Sequence, residues 1–255
     1  MKEFQVSTLP KYLEEVELRS SHTRIYRGVA DPSYQLIPSL GRLDVDPVFG
    51  LEKLPGGTLE ERRERYEVEL LREFKRRAMP FLTILPRSEL EWLCLAQHYG
   101  VPTRLLDWTI NPLVALYFAC ESKPESGGAV YVRDQTHWQV GAHHDEPFKK
   151  AEQIMGIQPD HSDKRFVNQE GVFTLQPDFR VAIDDDATHR IVFNAKAKDH
   201  MQWQLAKFGI RASVIYPGLD GVAKDVRALC ETTRTGVLRE ADPYRSLQFW
   251  GRPRQ

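Results

Sequence analysis

At 255 residues, with 41% hydrophobic and 28% charged positions, the chain is long enough to bury a sizeable core and has an ordinary globular composition. Its formal net charge of -1 excludes a general electrostatic drive toward nucleic acid or anionic membranes, so only local basic patches remain to be considered. No window has the apolar length of a membrane span, the N-terminus lacks a signal-peptide core, and Cys94, Cys120 and Cys230 lie far apart among apolar neighbours, so a soluble cytoplasmic protein with reduced thiols is expected.

In chain order, the residues up to Ser21 predict a helix with Pro10 near its start, and Thr23 to Val29 alternates as a strand. Asp31 to Gly57, rich in proline and glycine, predicts an irregular surface loop. Thr58 and Glu61 form a capping box that opens a helix to about Met79. Its apolar stripe is Tyr66, Leu70, Leu71, Phe74 and Ala78, and its crowded Arg and Glu positions are expected to face solvent. Ser88 and Glu91 repeat the box for a helix ending at Gly100, with Leu90, Leu93 and Gln97 on one face.

Thr103 to Trp108 reads as extended. Asn111 and Pro112 then supply an N-cap and first-turn proline for Leu113 to Cys120, a helix apolar on every side and therefore buried. Strands are expected at Ala129–Arg133, Gly171–Gln176, Arg190–Asn194 and Arg211–Tyr216. A helix around Trp203 packs on the sheet with Gln202 and Gln204 exposed, and a last helix spans Asp220 to Leu229. Helices first and strands after predict an α+β fold with a mixed or antiparallel sheet core. One domain over 23–235 would follow a helical lead-in at 1–22 and precede a docking tail at 236–255, marked by Phe249 and Trp250. His137, His143, His144 and His161, with Asp145 and Glu146, lack a fixed ligand frame and read as a surface loop, so no metal is expected.

Polar residues concentrate in LAQHYGVPTRLLDWTINPLVALYFAC, Leu95 to Cys120. Gln97 and His98 end one helix, Arg104 and Asp107 lie on the extended run, and Thr109 precedes the positive end of the buried helix, where free N–H groups bind anions. Each has a plain structural reading: Arg104 pairing Asp107, Thr109 as a cap, His98 as a satisfied histidine. Upstream, in IYRG, alternation places Arg27 on the face of Thr23 and Ile25, with Tyr26 on the other. An inward Arg27 needs an anionic partner, either Asp107 or a ligand phosphate.

Tyr26-Arg27-Gly28 together with AQHYGVPTRLLDWTINPLVALYFA closely resembles the FRG domain family, named for its aromatic-Arg-Gly motif. NQEGVFTL at Asn168 to Leu175 and FGIRASVIYPGLDGVAKDV are similar to later segments of that family, so the resemblance runs from about Thr23 to Val226. More distantly, the chain resembles ADP-ribosyltransferases. Tyr26-Arg27-Gly28, Asp107-Trp108-Thr109, the Ala-x-x-Phe-Ala helix at Ala115 to Ala119, and Gln169-Glu170-Gly171-Val172-Phe173 follow that family's order. The resemblance implies an ADP-ribosyltransferase-like fold using NAD as substrate. Tyr26, Arg27 and Gly28 would meet its phosphates, Gln97, His98, Arg104 and Thr109 would line the cofactor site, and Asp107 with Glu170 or Gln169 would be catalytic. A carboxylate there stabilises the oxocarbenium-like cation of glycosidic cleavage. The choice between Glu170 and Gln169 stays open, because a one-residue slip reverses a strand's faces.

The same resemblance implies a small-molecule nucleotide partner, an unidentified acceptor macromolecule and a toxin or anti-phage defence role, while the lack of an apolar span leads to the expectation of no membrane. Two other readings stand beside it. One is a non-catalytic nucleotide-sensing or protein-interaction module. The other is a nucleic-acid binder or nuclease built on Arg24, Arg27, Arg42 and Arg104, for which the sequence offers no strong nucleic-acid signature and no metal–carboxylate set.

Overall fold

Alternating apolar residues on both faces of the central strands build one mixed eight-stranded sheet. The computed structural model describes residues 1–18, 23–43, 48–49, 52–53, 57–140, 148, 151–159 and 164–234. Its elements are β1 (Lys2–Gln5), α1 (Leu9–Glu17), β2 (Arg24–Val29), β3 (Val48–Phe49), β4 (Glu52–Lys53), α2 (Leu59–Ala78), α3 (Glu89–His98), β5 (Leu105–Thr109) and α4 (Pro112–Cys120), then β6 (Gly128–Asp134), β7 (Trp138–Val140), β8 (Met155–Gln158), α5 (Lys164–Gln169), β9 (Gly171–Leu175), β10 (Thr188–Phe193), α6 (Ala195–Lys207), α7 (Ala212–Ile215) and α8 (Leu219–Arg234). The sheet runs β1-β10-β6-β2-β5-β9-β8-β7, and β3 pairs β4 in a separate ribbon. Its outermost pairs, β1–β10 and β7–β8, are parallel and the inner pairs antiparallel. The fold is α+β.

One face of the β10-β6-β2 half carries α1, α4 and α6, with Tyr26, Val130, Val132 and Ile191 packed under Ala115, Leu116, Ala119, Met201 and Leu205. On the β5-β9-β8 half, Leu105, Phe173, Leu175 and Ile157 pack against α3 and Leu71 of α2. The opposite face gathers Ile25, Val29, Leu106, Trp108, Tyr131 and Val192 beneath Leu36 and Ile183. α4 approaches β2 closely enough that a Cβ on Gly28 would lie 1.8 Å from the Ala115 carbonyl oxygen. Glycine is required there by packing.

The structure departs from the expected elements in several places, and in the run Asp31–Gly57, expected as a surface loop, Leu36 and Leu40 are buried and Val48–Phe49 pairs Glu52–Lys53. The first residues form a sheet strand before the helix, and Leu9 and Tyr12 are in the core, with the Tyr12 hydroxyl donating to the Pro112 carbonyl at 2.7 Å. Residues 1–18 therefore belong to the same core as the sheet. The inward face of α2 is Arg63, Glu67 and Leu71, so part of its charge is buried and not solvated. Arg211 to Tyr216 holds the short helix α7 in place of a strand. A carboxylate thirteen residues on decides this, because Asp225 accepts the free N–H groups of Ala212 and Ser213 at 3.0 and 3.1 Å. On α6, Gln202 is exposed but Gln204 is half-buried.

The tail 236–255 and His143, His144, Asp145, Glu146 and His161 lie outside the described residues, and His137 is exposed. Among the described residues no three metal-ligating side chains converge, and no helix is long and apolar enough to cross a membrane. Cys94 and Cys120 are free and buried, and burial pushes the Cys120 thiol up to about 12.

Candidate functional site

The centre of the sheet is split. β2 meets β5 at the single registered pair Tyr26–Thr109, whereas β2 pairs β6 from Arg24 to Val29 and β5 pairs β9 from Leu105 to Thr109. Beyond that pair, towards Gly28 and Asp107, the two strands separate, and Arg27 fills the gap. Its Nη1 donates to the Asp107 carbonyl at 2.6 Å and to Asp107 Oδ2 at 3.4 Å. A guanidinium thus replaces the missing strand partner of a backbone carbonyl. The Arg27 side chain is 19% exposed and that of Asp107 48%, so the cation is mostly sunk and the carboxylate half open. Among the described residues both bonds of the guanidinium leave from Nη1 and end on Asp107, and Nε and Nη2 keep their donors.

Asp107 is fixed from its other side by α3. Gln97 Nε2 donates to Asp107 Oδ2 at 2.8 Å, and Thr103 Oγ1 donates to Gln97 Oε1 at 2.6 Å. The Thr103 N–H in turn donates to Ser39 Oγ at 3.1 Å, and the Leu40 N–H to the Thr103 carbonyl at 3.1 Å. This chain of bonds seats the turn Leu36–Leu43 beside the split. Arg42, on that turn, lies within the field of the site. Its proton affinity is lowered by burial and by the like charge of Arg27, with Asp107 and Tyr34 opposing.

The remaining expected site residues have other employment. Arg104 is 5% exposed and pairs Glu67, not Asp107, with Nε donating to Glu67 Oε2 at 2.6 Å. Tyr26 is 6% exposed beneath α4, and burial raises its hydroxyl's pKa, with Arg24 opposing and Asp134 adding. Gly28 faces the backbone of α4, so the close approach it permits is to a helix. His98 packs edge-on against Tyr99, ring centres 5.3 Å apart. Thr109 is 3% exposed; its hydroxyl donates to the Gln169 carbonyl at 2.6 Å and accepts from the Asn111 N–H at 3.0 Å.

At this end of β5 the groups serve one another. Gln169 ends α5 and points its amide at the Ile215 carbonyl, 3.1 Å away, while Asn168 donates to Val214 at 2.7 Å, latching α5 to α7. Glu170 occupies the left-handed region at φ 46° and accepts from Asn111 Nδ2 at 2.9 Å. Asn111 Oδ1 meanwhile accepts the Leu113 and Val114 N–H groups, so the start of α4 is capped internally and is not the anion site the sequence suggested.

A family model for the FRG domain matches residues 22–127. The chain carries an FRG domain. The match takes in β2, α2, α3, β5 and α4, and with them Arg27, Gln97, Asp107 and Thr109; Asn168–Leu175 and the segment from Phe208 lie beyond it. No curated protein and no solved structure matches the chain.

Within the FRG domain the open chemistry is therefore at the split. A mostly buried guanidinium with unused donors is fitted to a ligand oxyanion, by charge-assisted and forked hydrogen bonding. Ser39 and Thr103, which hold the frame, were not singled out from the sequence. Each follows a proline, Pro38 and Pro102, and nothing else in the sequence marks them.

Proposed function

We propose that this FRG domain binds a nucleotide, with NAD as the candidate ligand, in the manner of an ADP-ribosyltransferase. The observation that carries the reading is Arg27, a guanidinium 19% exposed whose described bonds both go from Nη1 to Asp107. Further support comes from topology. The three motif-bearing strands β2, β5 and β9 are neighbours in the sheet, and the Ala-x-x-Phe-Ala helix follows β5 directly. In this reading Arg27 takes phosphate oxygens, and Glu170, at the head of β9, is the carboxylate near the ribose. The toxin or anti-phage role that the resemblance implies goes with transfer to an acceptor macromolecule.

A second reading is a nucleotide-sensing module without transfer. The engagement of Gln169 by Ile215 and the saturated hydroxyl of Thr109 favour it, since neither group is left to act on a ligand. One experiment separates them. Melting temperatures with and without millimolar NAD report binding to the native state by mass action. The expected result is a rise in the wild type that vanishes in Arg27→Gln, and no rise in a folded wild type refutes both readings. Where binding holds, release of nicotinamide that is lost in Glu170→Gln marks the enzyme, and binding without release marks the sensor.

A further inference from the structure

The connector between α2 and α3 turns its apolar side chains outward. In its run MPFLTILP, residues 79–86, Leu82 turns in, but Phe81 is 86% exposed, Ile84 65%, Met79 49% and Leu85 48%. Single exposed apolar residues are ordinary on a protein surface; four large ones within seven positions are not. Slack in the chain does not explain them. Ala78 and Leu82 pack on the core that holds Leu71, Leu90 and Trp92, and Met79–Phe81 form a 3-10 turn. Pro80 and Pro86 restrict the backbone on either side, and Lys75 donates to Glu89, tying the end of α2 to the start of α3. The connector thus holds these side chains in water on a fixed frame.

A large side chain carries roughly 150–250 Å² of surface, so the four leave on the order of 400–500 Å² of apolar area in one patch. A standard protein interface takes about 800 Å² from each partner and is a little over half apolar. The patch supplies that apolar share, and the exposed charged side chains at the end of α2 supply the polar rim. Charge decides the partner. Between Glu69 and Glu91 stand four carboxylates and five cations. Arg72 pairs with Glu69, Arg76 and Arg77 share Glu73, and Lys75 takes Glu89. An anionic lipid surface draws on cations in excess, and here they are nearly cancelled. A rim carrying both signs in short alternation complements a copy of itself turned by a two-fold rotation, which sets cations of one chain against carboxylates of the other.

We propose that the connector 79–87 is a homodimer contact, in which the apolar patches of two copies of this chain meet across a two-fold axis. Phe81 is its central anchor, and the ends of the two α2 helices form its rim. The frame is ordered before the partner arrives, so little ordering cost opposes association. Neither Arg27 nor Asp107 takes part, and the contact forms whether or not a nucleotide binds.

The test is sedimentation velocity of the full chain across the micromolar range, for wild type, Phe81→Asp, Ile84→Asp and Leu18→Asp. Wild type should pass from monomer to dimer as concentration rises. Phe81→Asp and Ile84→Asp should each weaken the dimer by at least about tenfold. Both side chains stand in water in the single chain, so urea midpoints measured at low concentration should match wild type and exclude misfolding. Leu18→Asp, on α1 and 76% exposed, is the control and should leave the dimer intact. A wild type that stays monomeric throughout overturns the proposal, as does a dimer that both connector variants leave unchanged. Equal weakening by Leu18→Asp marks unspecific association of exposed apolar groups and overturns it too. Co-sedimentation with phosphatidylcholine–phosphatidylserine vesicles closes the alternative: a monomeric wild type that pellets, and no longer does so as Phe81→Asp, assigns the patch to a lipid surface instead.

Discussion

The buried pair Glu67–Arg104 ties α2 to the first residue before β5, and removing one partner should damage the FRG domain more than any surface change. Glu67 is 1% exposed and accepts the Arg104 backbone N–H at 2.7 Å and its Nε at 2.6 Å. The guanidinium also faces the rings of Phe148 and Phe179, at 5.3 and 5.5 Å. Glu67→Ala leaves this buried cation with the Phe148 carbonyl at 3.1 Å and only the distant Glu64 carboxylate at 4.0 Å, a loss of about 3–5 kcal/mol. For a chain of this size that is a fall of roughly 6–20 °C in melting temperature. Urea unfolding followed by tryptophan fluorescence measures it, with an unchanged slope required before the midpoint is converted to free energy. Burial pushes the Glu67 carboxyl's pKa upward, and the charge and hydrogen bonds of Arg104 do not fully offset it. Because replacing a buried ion pair by apolar groups of similar volume removes both desolvation costs together, the double variant Glu67→Leu, Arg104→Met should recover most of the lost stability. A Glu67→Ala cost below about 1 kcal/mol would refute the reasoning, because it would mean that water reaches the guanidinium.

Other outcomes follow from single contacts. Gly28→Ala places a methyl group 1.8 Å from the Ala115 carbonyl and 2.7 Å from the Ala119 nitrogen, so α4 must move. The expected cost is at least about 3 kcal/mol in urea unfolding. Lys198→Met should cost about 1–3 kcal/mol by the same assay, because Lys198 Nζ donates to the carbonyls of Ala30, Lys123, Ser126 and Gly127 at 2.8–3.4 Å. For Asp185, burial pushes the carboxyl up, but hydrogen bonds from Arg133 and Thr188 and the Arg133 charge outweigh it and leave the pKa lowered. Its folded form thus resists protonation more than the unfolded one, so its stabilisation is present above the usual carboxylate range and is lost as pH falls below it. Asp185→Asn should flatten the acid side of a melting-temperature profile and leave the neutral side lower and level.

Local signals carried most of the helices. Thr58 and Glu61 make both bonds of their capping box, and Asn111 caps the buried α4. Ser88 makes half of the second box, since the Glu91 carboxylate accepts from the Arg87 N–H instead. What failed depended on distant partners. The Arg211–Tyr216 run is short and apolar, and strand or helix is decided by Asp225. Arg104 and Asp107 are near enough in sequence to suggest a pair, yet Glu67, 37 residues away, takes the arginine. The expectation for Arg27 rested on strand alternation and on Ile25 facing inward. Ile25 is fully buried, and the arginine does reach Asp107, chiefly its carbonyl. No periodicity announces a split between two strands, so the seat of Arg27 on the Asp107 carbonyl could not be read from the pattern.

The two ends of β5 divide the chemistry between them. Ile110 donates its N–H to the Glu170 carbonyl, three residues along the strand from Asp107, which separates the two positions by about 10 Å. Arg27 belongs to the Asp107 end. Glu170 belongs to the other, beside the start of α4, where Asn111 has already satisfied the helix donors. In the proposed nucleotide reading the phosphate goes to Arg27 and not to the helix terminus, whose donors Asn111 caps. A ligand that engages both ends must be extended along the strand, as a dinucleotide is and a nucleoside monophosphate is not. In that reading the Asp107 end should bind by itself, because its frame of Gln97, Thr103 and Ser39 makes no use of Glu170. Any transfer reaction needs both ends at once, so Glu170→Gln should separate reaction from binding while Arg27→Gln removes the two together.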